Sequence, residues 1–233
     1  MIGYVVSLII LISSYTAALF FLFKRDRDIP YLEYLLPITV MVLYLANVIW
    51  IYHDVGPNDW NFLNALPMQN LSPFSYCLCF LSAFLPKKVR APIYAMFALL
   101  SVGMLCAGIL EIASYIPRNY AFHLILILGT TPHFLLSFFG IYLIRRQKIN
   151  LSGKTMLWGY LLPIAIAIVM LIINCIFHTA YFGLSVYGDH NIYSVVISDY
   201  AAVSILAYFF GLCFVLAIGY LLQRFLVLRK TQS

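Results

Sequence analysis

The stretch KKVRAPIYAMFALLSVGMLCAGILEIA (Lys87–Ala113) opens on three basic residues, then runs from 91 to 113 with Glu111 as its one charge. A run of about 18 or more apolar residues is long enough to cross the hydrocarbon core of a bilayer as a helix. Six further runs of this kind lie near residues 3–23, 34–52, 64–85, 121–144, 156–177 and 200–223. The chain is 64% hydrophobic and 9% charged. A soluble domain carries about 25% charged residues, so this composition cannot assemble a water-facing surface. The reading is an all-α, multi-pass cell-membrane protein: one domain, 1–233, built as a seven-helix bundle.

The basic residues orient it. Lys24, Arg25 and Arg27 follow the first run, and Lys87, Lys88 and Arg90 follow the third. Arg145, Arg146, Lys148 and Lys154 follow the fifth, and Arg224, Arg229 and Lys230 close the chain. Only Arg118 falls in the remaining gaps. Basic residues concentrate in cytoplasmic loops, which predicts an outer amino terminus and a cytoplasmic carboxyl terminus. The first run has no basic stretch before it and three basic residues after it, the reverse of a cleaved signal peptide. The net charge of +6 therefore belongs to the membrane, and no nucleic-acid partner is expected.

The polar residues crowd into the half away from those basic gaps. Asn47, Glu111, Asn174 and His178 come late in outward-running helices, while Gln69, Asn70, Ser72, His123 and Asp199 come early in inward-running ones. His133 lies near the bilayer centre. Amide and ionisable groups at that depth cost several kcal/mol unless they find partners or water. On the fifth helix His123, Thr130, His133 and Ser137 fall within about 80° at 100° per residue. These placements predict a polar cavity opening outward and ending near His133; separate interhelical hydrogen bonds are the alternative. Glu111, His178 and Asp199, near the interface, read individually as solvated groups. The long connection from Thr179 to Asp199 reads as a lid over the bundle or as a loosely structured loop.

Other chemistry is sparse. The chain has no glycine-rich phosphate loop and no HExxH. His53, His178 and His190 gather at the outer rim, but no metal and no cofactor are expected. No lysine lies between Asp199 and Gln223, so a retinal Schiff base has no attachment point. The five cysteines sit within apolar runs and read as free thiols used for packing.

The segment Leu66-Pro67-Met68-Gln69-Asn70-Leu71-Ser72 opens the third run, and Thr131-Pro132-His133-Phe134 precedes Tyr142 in the fifth. Together these resemble the YwaF-like family of bacterial seven-helix membrane proteins. Its members show Leu-Pro-Leu-(His/Gln)-Leu-Cys at the same opening, and a histidine nine residues before a tyrosine. The family is similar to eukaryotic multi-span phospholipid acyltransferases. The resemblance implies a membrane-embedded, lipid-modifying protein whose fatty acyl chain passes through a cysteine assisted by a histidine. Here the cysteine position holds Leu71, so Ser72 or Cys77 is the candidate nucleophile and His133 the candidate base. Gln69, Asn70, Asn47, His123 and Asn174 are candidates for substrate binding.

Membrane lipids are the expected partners. The other reading is a seven-helix binding, transport or accessory subunit for a small ligand or another membrane protein. Alternating access needs polar groups on both sides of a midplane site, and the inner half offers few, which counts against a carrier.

Overall fold

The computed structural model describes residues 2–24, 29–55, 71–115, 123–146, 149, 153–177, 184 and 201–231. Among them it is all helical: α1 (Ile2–Lys24), α2 (Leu32–Val55), α3 (Leu71–Ser82), α4 (Lys87–Tyr115), α5 (His123–Arg145), α6 (Gly153–Phe177) and α7 (Ala201–Thr231). Five of these, α2 and α4 to α7, are long and apolar enough to cross a membrane.

The boundaries differ from the apolar runs for local reasons. The third run was expected over 64–85, and the described part of its helix is Leu71–Ser82. It ends in the turn Ala83–Leu85 ahead of Pro86, whose ring disfavours a helical residue before it. The Pro86 carbonyl then accepts the backbone N–H groups of Val89 and Arg90, opening α4. The last helix passes its apolar limit at 223 and continues to Thr231. Leu, Arg and Lys are good helix formers whether or not they are buried.

The centre of the bundle is α4, which packs against α5, α6, α7 and α3. Its residues Ile93–Leu100 are buried without a break, as expected of a helix that is apolar all round. Glycines set how closely the neighbours approach. A Cβ at Gly140 of α5 would collide with the Phe97 carbonyl oxygen, and one at Gly219 of α7 with the Leu99 carbonyl oxygen. A Cβ at Gly159 of α6 would come within 2.8 Å of the Ala95 backbone carbon. Small residues at helix crossings are the usual means of close packing between apolar helices. Buried Ser82 and Ser101 are satisfied within their own helices: Ser82 donates to Cys79 O at 2.6 Å and Ser101 to Ala98 O at 2.8 Å. The outer faces carry large exposed apolar side chains, among them Phe20, Leu110, Phe177, Leu206 and Phe210.

One end of the bundle gathers the basic residues. Arg145 and Arg146 at the end of α5 donate to Phe23 O and Leu22 O at the end of α1. Glu33 at the start of α2 meets Arg90 Nη1 at 3.7 Å, accepts from the Tyr94 hydroxyl at 3.5 Å, and is buried. Tyr142 donates to Ile29 O at 3.0 Å. Removing one partner from a buried charged contact strands the other. Glu33→Ala is therefore expected to lower stability by about 2 kcal/mol, read as an earlier unfolding midpoint in a denaturing-detergent titration. A midpoint within error of the parent would exclude this role.

Candidate functional site

Toward the opposite end, α5 and α4 come together at Gly108. A Cβ there would lie 3.0 Å from both His133 Cβ and the Phe134 ring. With no side chain in the way, the next turn of α4 brings Glu111 to His133. Nε2 stands 3.1 Å from Oε2, with side chains 10% and 27% exposed. With a proton on Nε2 facing the carboxylate, Nδ1 keeps its lone pair. Nδ1 is buried and has no hydrogen-bond partner among the described residues. The Tyr76 ring meets the imidazole edge-on at 5.5 Å and fixes its plane from α3.

The pair borders a cavity of about 840 Å³. Its polar lining comes from α2 (Tyr44, Asn47), α3 (Ser72, Tyr76), α4 (Glu111), α5 (His133) and α7 (Tyr208). Apolar residues, including Leu71, Leu100, Met104 and Leu212, make up most of the rest. The lining residues Cys106, Leu110 and Gly211 are exposed, so the open side lies at the bundle surface between α4 and α7.

The expected site residues separate in space. Asn47, Ser72 and His133 line this cavity together. Cys77 follows Tyr76 on α3 but is not among the lining residues, and packs half-buried against the core. Asn174 is fully buried on α6, where its Nδ2 donates to Leu184 O at 2.6 Å. That bond tucks one residue of the long connection into the core; the rest of that connection, with Asp199, lies outside the described residues. Gln69, Asn70 and His178 also lie outside them, as do the side chains of His123 and His53. The polar stripe on α5 divides between neighbours. Ser137 bonds the Tyr15 hydroxyl of α1 at 2.8 Å, because α5 is packed by α1, α2 and α4 at once. Tyr142, nine residues past His133, belongs to the basic end.

Glu111, Tyr76 and Cys106 are among the lining residues to which the sequence assigned no functional role. Glu111 turns into the bundle against His133 instead of standing solvated at the interface. Tyr76 orients the imidazole, and Cys106, read as packing, brings a thiol to the cavity. The signal for Glu111 was available: it is the one charge in the run 91–113.

No protein family matches the chain, and neither a curated protein nor a solved structure does.

Proposed function

We propose that the chain is a membrane-embedded, lipid-modifying enzyme of the acyltransferase kind. It crosses a cell membrane seven times, with its amino terminus outside and its carboxyl terminus in the cytoplasm. The observation that carries the reading is the Glu111–His133 pair on a cavity that Ser72 also lines. The gathering of Arg90, Arg145 and Arg146 at the other end supports the orientation, and the resemblance to the YwaF-like family points to the same chemistry.

An acyl-transfer site needs a nucleophile, a base and donors for the developing oxyanion. The Ser72 hydroxyl oxygen attacks the acyl carbonyl of a lipid ester and its proton passes to His133 Nδ1. Collapse of the tetrahedral adduct breaks the ester bond, and the departing alkoxide takes that proton. Glu111 holds the imidazole in the tautomer this requires. The Asn47 amide and the Tyr76 hydroxyl are the donors in the wall for the oxyanion. Cys77 has no part in this scheme.

The test is to incubate the purified protein in nanodiscs with an isotope-labelled phospholipid and map acylated peptides by mass spectrometry. The acyl mass should appear on Ser72, survive neutral hydroxylamine as an oxygen ester, and vanish in Ser72→Ala. Transfer of the label to Cys106 would displace Ser72 as nucleophile. Absence of any acyl-enzyme and of any acyl exchange would remove the enzyme reading.

A second reading, a binding or accessory subunit, draws on the apolar majority of the cavity wall. Between the cavity and the basic end, the core is filled by Leu136, Phe139, Leu143 and Phe97, each at most 1% exposed. That packing favours a receptor or subunit over a carrier.

A further inference from the structure

The cavity wall carries one kind of charge. Glu111 is its only formally charged residue apart from its partner His133, and neither lysine nor arginine lines it among the described residues. A phosphate head in the cavity would face that carboxylate, with no lysine or arginine among the described lining residues.

The unsatisfied atoms of the wall have the same preference. Asn47 Oδ1, the Tyr76 hydroxyl and His133 Nδ1 are buried without hydrogen-bond partners among the described residues. Oδ1 can only accept, and Nδ1 accepts while Nε2–H faces Glu111. The hydroxyl can do either. A buried acceptor without a donor costs about 1–3 kcal/mol, so three such atoms around one cavity favour a ligand that brings N–H or O–H groups. On the open side, between α4 and α7, the exposed Cys106, Leu110 and Gly211 leave an apolar way out for a chain. A Cβ built on Gly211 meets nothing within 4 Å.

We infer that the cavity binds an amphipathic alcohol or primary amine, an alkyl chain with an uncharged or cationic hydrogen-bond-donating head and no phosphate. Its role as acyl acceptor rests on the transferase reading, whereas its binding does not. In that role the acceptor nitrogen or oxygen attacks the acyl group on Ser72 and gives its proton to His133. A new amide or ester bond forms, the Ser72 ester bond breaks, and the serine oxygen recovers the proton from His133.

The test is native mass spectrometry of the full chain released from micelles, with dodecylamine, 1-dodecanol or dodecyl phosphate as probe. Dodecylamine and dodecanol should each give a saturable one-to-one adduct, with dodecyl phosphate at least about tenfold weaker, the scale of one charged contact. Gly211→Leu, which places a side chain in the open space, should remove the adducts. Glu111→Gln should weaken dodecylamine about tenfold while leaving dodecanol unchanged, and does not depend on the first variant folding. Dodecyl phosphate binding as well as dodecylamine would overturn the inference, as would adducts indifferent to both substitutions. The selective adducts without any acyl exchange would retain the ligand class and remove the transferase. Exchange confined to phosphate-bearing acceptors would retain the transferase and remove the ligand class.

Discussion

His133→Ala should lower acyl exchange by about a thousandfold, within the range lost with a general base, while the protein stays folded. The imidazole lines the same cavity as Ser72 and offers a ring nitrogen that can take its proton, and alanine leaves Glu111 without the ring that relays it. The loss should fall mainly on kcat, because the proton moves in the transition state rather than on binding. Glu111→Gln tests the pair from the other side. Its amide can hold the ring but cannot stabilise the imidazolium, so exchange should fall roughly 10³–10⁴-fold, the scale of the loss when a triad carboxylate becomes an amide. Radiolabelled exchange in nanodiscs, read beside the unfolding midpoint, checks both. Unchanged exchange in His133→Ala would end the catalytic assignment.

Gly219→Val should destabilise the bundle by more than about 3 kcal/mol, beyond ordinary overpacking. The obstacle at Gly219 is the Leu99 backbone, with the carbonyl carbon 2.7 Å and Cα 2.8 Å from the added Cβ. A backbone on a central helix cannot swing aside as a side chain does. Gly140→Val should behave alike, since it meets the Phe97 carbonyl and, at 2.8 Å, Ser101 Cβ. Gly211→Leu is the control, because the space there is open. Unfolding midpoints in a denaturing-detergent series decide the matter, and parent-like values for the valine variants would exclude this account of the packing.

These glycines also explain which parts of the molecule could be read from the chain. Hydrophobic length is a local property that accumulates along the sequence, so the helices are legible, give or take the turn before Pro86 and the extension through Arg224. That Asn47 and Ser72 lie toward the end away from the basic gaps, with His133 deeper in its helix, is legible too, because position along a helix follows from counting residues. The rotation of each helix about its axis does not follow from counting. Glu111 and Asn174 look equivalent in sequence, each a polar residue late in an apolar helix. One faces His133 across the gap that Gly108 leaves open, and the other is turned to the Leu184 carbonyl.

Composition and spacing alone were enough for an all-helical, membrane-like chain with its basic residues in alternate gaps, because transfer from water is summed residue by residue. The meeting of a carboxylate and an imidazole beside an apolar cavity was decided only by the packing. It depends on separations of a few ångströms between helices distant in sequence, and those are set by where side chains are missing as much as by where they are present.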